Sequence, residues 1–197
     1  AIKRSGTPPH VALYSIGISL IFLTVAAAVQ LGGSWLTVGW AAQAVVLLSI
    51  GFVLSLSRLR AFSLGLFTLV ALRLAVFDSQ IDLDGFALFT NGRFATFVFG
   101  ISSFYLGAYL YWKYREQIEE WESNISLVLI GAANAFTLWA FTAEAITYFN
   151  AFQLNVAVDL PLALTSLWGI YGFGIVAVAL RLRSEIFQKA GLALITI

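Results

Sequence analysis

Glu144 lies in the run Ala140-Phe141-Thr142-Ala143-Glu144-Ala145-Ile146, an apolar stretch with no other charge. A carboxyl group about a turn inside a hydrophobic helix is costly to ionise. By default such a residue is a ligand or proton site. Arg73 sits at a similar depth, about a turn before Asp78, and Gln30, Gln43, Asn91 and Arg93 could join it and Glu144 in one polar cluster. The chemistry available to that cluster is ligand binding or proton transfer, with Glu144, Arg73 and Arg93 as the candidates. The competing role is structural: Arg73 extends its stem to the interface and Glu144 pairs with it. That Arg73–Glu144 pairing is the expectation. Asn134 is the deepest polar residue, in Gly131-Ala132-Ala133-Asn134-Ala135. It is a further ligand candidate, although small residues admit a neighbouring helix and an asparagine bonds across such contacts, which favours packing.

Two basic turns, Arg58-Leu59-Arg60 and Arg181-Leu182-Arg183, are candidates for anionic lipid headgroups. Arginines at such positions more often fix topology. A single histidine, His10, and the absence of cysteine remove the usual zinc ligand sets, disulfides and thiolate chemistry. No metal or cofactor is expected. Three apparent motifs carry no weight. Asn124-Ile125-Ser126 falls on the wrong side for glycosylation, Gly169-Ile170-Tyr171-Gly172-Phe173-Gly174 lies inside a helix, and Asp78, Asp82 and Asp84 lack the spacing of a calcium loop.

The elements that must position these residues are helices in lipid. The chain has 60% hydrophobic and 11% charged residues, whereas a soluble surface needs about 25% charged. A net charge of +1 gives no footprint for nucleic acid. Seven apolar segments are predicted, at 9–31, 35–57, 61–77, 93–112, 125–149, 160–180 and from 184 onward. Most approach the roughly 20 residues that span a bilayer, and their short connections imply antiparallel hairpins. Beyond the fourth segment, Tyr114, Ile118 and Trp121 share a helical face and Arg115 precedes Glu119 by four, so that helix is expected to continue along the surface. If alternate loops are assigned to opposite sides, nine basic residues fall on the side of the N-terminus: Lys3, Arg4, Arg58, Arg60, Lys113, Arg115, Arg181, Arg183 and Lys189. Only Arg73 and Arg93 fall on the other. The positive-inside rule then predicts a cytoplasmic N-terminus.

The architecture expected is an all-α integral membrane domain over 1–197 with a parallel internal repeat. Leu36-Thr37-Val38-Gly39-Trp40 recurs as Leu164-Thr165-Ser166-Leu167-Trp168, and Ile16-Gly17, Phe22 and Gln30 align with Ile130-Gly131, Phe136 and Glu144. Copy one would span 9–78 and copy two 125–197, with a linking helix at 93–123. The missing methionine and the uncapped apolar end after Ser184 predict that the chain is a piece of a longer one, its last helix cut short.

Ser34-Trp35-Leu36-Thr37-Val38-Gly39-Trp40-Ala41-Ala42-Gln43, Leu72-Arg73-Leu74-Ala75-Val76-Phe77-Asp78, Phe89-Thr90-Asn91-Gly92-Arg93 and Leu167-Trp168 followed by Arg181 to Leu194 resemble large bacterial membrane proteins grouped as a domain of unknown function. Where that family often carries a glutamate, this chain has Gln43. The resemblance implies long arrays of such helices in a bacterial inner membrane, and no catalytic residues. The expected function is a structural, accessory or assembly module of a larger membrane or envelope complex, with lipids and other membrane subunits as partners. A transporter or channel is the alternative, and an enzyme on a lipid-linked substrate is a distant third.

Overall fold

A computed structural model describes residues 29–79, 86–152 and 159–182, together with 18, 19, 22 and 24–26. Among these there are five long helices and no strand: α1 (Ser34–Val53), α2 (Ser57–Val76), α3 (Gly92–Lys113), α4 (Ile125–Ala151) and α5 (Asp159–Leu182). All five are long and apolar enough to cross a membrane. Twenty helical residues rise about 30 Å, the thickness of a hydrocarbon core. The first apolar segment is described only at scattered positions, and the seventh lies outside the described residues, as do Arg183, Asp82 and Asp84.

Successive helices run antiparallel. The starts of α1, α3 and α5 share one end of the bundle with the ends of α2 and α4, and this is called the near end below. α1 packs on α2 and α3, α3 packs on α4, and α5 leans on α4 alone to any extent. The core therefore lies among α1–α4, built from Leu47, Leu48, Phe52, Leu66, Phe67, Val70, Leu74, Phe97 and Phe104. α5 is mostly exposed, with Leu162, Ile170, Phe173 and Val178 turned outward. Apolar exposure of this kind is what a lipid-solvated helix presents.

Small residues on α3 set its distance from α2. A methyl group added at Gly100 would come within 2.7 Å of Leu74, and one at Gly107 within 2.8 Å of Phe67. Ser103, between them, is fully enclosed and bonds back to Gly100 O. Close backbone approach at small residues is how membrane helices gain packing without a hydrophobic drive. Gly131 on α4 differs, since a methyl there would meet nothing within 4 Å.

The surface continuation of α3 does not form. The helix stops at Lys113, Tyr114 stacks on Phe52 with ring centroids 5.0 Å apart, and the chain turns into a short 3-10 helix at Glu120–Glu122. A reciprocal capping box closes that turn, as the Glu119 side chain accepts from the Glu122 backbone and the Glu122 side chain from the Glu119 backbone. Satisfying those amides locally replaces the helical i,i+4 spacing of Arg115 and Glu119. The linking element is therefore α3 plus a capped turn, shorter than the helix expected over 93–123.

Candidate functional site

Three ion pairs lie among the described residues, two at the near end and one at the far end. Glu144 is 1% exposed despite its charge. Its carboxylate accepts from Arg93 Nη2 at 2.7 Å, from Asn91 Nδ2 at 2.9 Å and from the Phe89 backbone N–H at 3.0 Å. Arg93 Nη2 also reaches Thr147 Oγ1 at 3.0 Å and Ala143 O at 3.3 Å, both on α4. Asn91 caps α3, its Oδ1 accepting from Phe94 N at 2.8 Å. The buried carboxylate is thus satisfied by one full charge and by several dipoles, the condition under which a buried charge is tolerated. Arg93 Nη1, also buried, has no hydrogen-bond partner among the described residues.

Arg73 and Glu144 are not partners, contrary to the pairing expected from their matching depth. Arg73 Nε donates to Thr37 Oγ1 at 2.8 Å, its Nη2 donates to Gly33 O at 2.7 Å, and Asp78 lies 3.8 Å away. Thr37, with no exposure, donates its own hydroxyl hydrogen bond to Asp78 Oδ2. The polar cluster expected on this side therefore divides in two, with Arg73 serving the α1–α2 hairpin and Arg93 the α3–α4 hairpin. Gln43 belongs to neither and donates to Thr24 Oγ1 at 3.0 Å. Depth along a helix does not fix azimuth, and azimuth decides the partner.

The far end corrects a second expectation. Arg60 is 2% exposed and cannot present its guanidinium to a lipid headgroup. It forms a fork with Glu122, Nε to Oε1 at 2.7 Å and Nη2 to Oε2 at 2.6 Å. Tyr111 OH adds a longer bond to Glu122 at 3.3 Å, and the guanidinium carbon lies 5.1 Å from the Phe52 ring centroid. Gly51 makes room, since a methyl there would come within 2.7 Å of Arg60 Cγ. Arg58 and Arg181 are exposed at this end and remain available to headgroups. Outside the helices, the Trp121 indole N–H, 2.8 Å away, holds the exposed Glu119 carboxyl below the usual carboxylate range, with help from Ser57.

Asn134 lies mid-way along α4. Its Nδ2 donates to Ile130 O at 2.8 Å, and its Oδ1 accepts from Tyr171 OH on α5 at 2.9 Å. Trp168 Nε1, also on α5, donates to Thr142 Oγ1 at 3.0 Å. These bonds tie α5 to α4 beside a groove of about 1020 Å³ between α3, α4 and α5, lined by Phe94, Ile101, Tyr105, Trp112, Phe141 and Ile175 among others. No group of three or more metal-ligating side chains occurs among the described residues.

Glu122, Tyr111, Thr37 and Phe89 complete these clusters without standing out in the sequence. Glu122 is one of four glutamates within 116–122, and only the Glu119-x-x-Glu122 spacing hints at a cap. Thr37 sits in the repeated motif, but its counterpart Thr165 is exposed and bonds to Pro161 O. No protein-family model, curated protein or solved structure matches the chain.

Proposed function

We propose that the chain is a structural or accessory module of a larger membrane or envelope complex, embedded in a bacterial inner membrane with its N-terminus in the cytoplasm. The observation that carries this reading is the deployment of the buried charges. Glu144, Arg93, Arg60 and Glu122 are each bound to a neighbouring helix or turn at an end of the bundle, and all serve to brace hairpins. A solute path would need such groups around a shared polar cavity. Between the two ends, the polar contacts at mid-depth include the Asn134–Tyr171 bond, which joins helices, and that bond involves no charged group. An enzyme would need a free acid or base, whereas Glu144 is occupied by three donors of its own chain.

The groove and the exposed faces of α5 supply what a module needs, namely apolar surface for another membrane helix. The internal repeat is part of the same proposal. Trp40 and Trp168 occupy equivalent motif positions, and each donates its indole N–H to a threonine of the preceding segment, to Thr24 O at 3.4 Å and to Thr142 Oγ1 at 3.0 Å. Repeated helix pairs suit the long arrays of the unknown-function family that the motifs resemble. Arg58, Lys113, Arg115 and Arg181 at the far end support the orientation.

The test is site-directed cross-linking in native membranes. A photoreactive residue at Ile170 or Val178 on α5 should give one or a few discrete protein adducts, identified by mass spectrometry. If only lipid adducts form, and reconstituted vesicles instead accumulate a solute in a Glu144-dependent manner, the transporter reading replaces this one.

A further inference from the structure

Phe89 has φ 61°, a left-handed backbone that a bulky residue adopts where its surroundings impose it. Here it is the third residue of a turn closed by the Thr90 N–H to Ala87 O at 3.2 Å, and Glu144 holds that turn in place. The Phe89 N–H donates to Glu144 Oε2 at 3.0 Å, and two residues on, Asn91 Nδ2 donates to both carboxylate oxygens at 2.9 Å and to Ala87 O at 3.1 Å. One side chain from α4 thus fastens the whole of 86–91 against the bundle. The Phe89 ring packs on Phe94 at 5.1 Å and on Phe141 at 6.0 Å between centroids, and both of those rings line the near end of the groove. Phe89 itself is 47% exposed and meets the groove through those two rings.

We propose that 86–91 is a lid on the near end of the groove between α3, α4 and α5, with Phe89 as its stopper and the Glu144 carboxylate as its catch. Two features let such a lid move. First, the Arg93–Glu144 ion pair joins α3 to α4 directly, and Arg93 Nη2 is further held by Thr147 and Ala143 on α4. Opening the lid therefore leaves the carboxylate paired with its cation and avoids the cost of an orphaned buried charge. Second, the segment joins α3 at Asn91-Gly92, and Gly92 has open space about its Cα. The lid governs entry to the groove from the aqueous side. Whatever apolar group enters there meets first the aromatic rings of Phe94 and Phe141 and then the Tyr171–Asn134 bond at mid-depth.

The chain has no cysteine, so one thiol reports unambiguously. Ile101→Cys places it in the groove beyond Phe94, and Ser123→Cys gives an exposed control at the far end. The full chain in lipid nanodiscs is treated with a charged, water-soluble thiosulfonate. Phe89→Ala removes the stopper and should speed labelling at Ile101→Cys about tenfold, with the control unchanged. Asn91→Asp keeps the α3 cap, because an aspartate accepts the Phe94 N–H equally well, but sets a carboxylate against Glu144. It should raise the same rate while the Arg93–Glu144 pair keeps the thermal midpoint within a few degrees. An unchanged rate in Phe89→Ala overturns the stopper, and an unchanged rate in Asn91→Asp overturns the catch. If Asn91→Asp speeds labelling at both sites it has loosened the fold, and the catch is then read from Asn91→Ser, which keeps an N-cap oxygen for the Phe94 N–H and removes the amide donor to Glu144; faster labelling at Ile101→Cys alone supports the catch and an unchanged rate overturns it.

Discussion

At the residue scale, the decisive quantity is the cost of an ion without its counter-ion. Arg60 and Glu122 are both enclosed, at 2% and 0% side-chain exposure, so either alone would be a buried charge in a poorly hydrated place. Arg60→Ala is expected to lose about 3–5 kcal/mol. A double change, Arg60→Met with Glu122→Leu, should recover part of that, because apolar groups fill the site without a charge to desolvate while the Glu119 N–H and the Tyr111 hydroxyl lose their acceptor. Denaturation in detergent, followed by circular dichroism, measures both. The same method separates the two near-end clusters. Arg93→Ala and Glu144→Gln share a hydrogen bond and should be non-additive by about 0.5–3 kcal/mol. Arg73→Ala and Glu144→Gln have no common partner among the described bonds and should add within about 0.5 kcal/mol. Coupling between Arg73 and Glu144 equal to that of Arg93 would contradict the described geometry.

At the element scale, α3 is the helix on which the others are assembled, and its glycines are not equivalent to that of α4. Gly107→Ala must push a methyl against Phe67 at 2.8 Å and Leu129 at 3.1 Å, and overpacking of that order costs about 1–3 kcal/mol. Gly131→Ala has open space and should be neutral or stabilising by up to about 1 kcal/mol, through helix propensity. The thermal midpoint therefore falls for Gly107→Ala and holds or rises for Gly131→Ala, and a matching loss for Gly131→Ala would reveal a neighbour on that face of α4. The end of α3 was hidden from periodicity for a definite reason. Tyr114, Ile118 and Trp121 do recur at helical spacing, but Tyr114 finds a better partner in the Phe52 ring and Glu122 in Arg60. Tertiary contacts at the far end outweigh the propensity of an eight-residue surface turn.

At the scale of the whole molecule, five helices of spanning length alternate in direction, so both loops joining α1–α2 and α3–α4 lie at the far end. Single cysteines at Ala87 and Ser123, both exposed and at opposite ends, test the orientation in intact cells with an impermeant thiol reagent. Only Ala87→Cys should label from outside if the proposed orientation holds, because the positive-inside rule predicts that the end carrying Arg58, Lys113, Arg115 and Arg181 faces the cytoplasm. Labelling of Ser123→Cys alone would invert the topology.

Composition and run length sufficed for the helical class and for five spanning segments to within a few residues at most ends, because the bilayer acts on every apolar side chain alike and needs no knowledge of neighbours. Glu144 also stood out from the sequence, since one carboxylate in an apolar run is conspicuous without a structure. Its partner was not legible. Arg73 and Arg93 lie at comparable depths, and choosing between them requires the rotation of each helix and the order in which α1–α4 pack. Arg60 shows the same limit from the other direction: beside Arg58 it reads as one of two surface cations, and only the Gly51 gap, the Phe52 ring and the Glu122 turn draw it inside. Hydropathy is a sum over residues, whereas pairing is a property of where two helices meet, and that geometry is set by steric fit among side chains far apart in the chain.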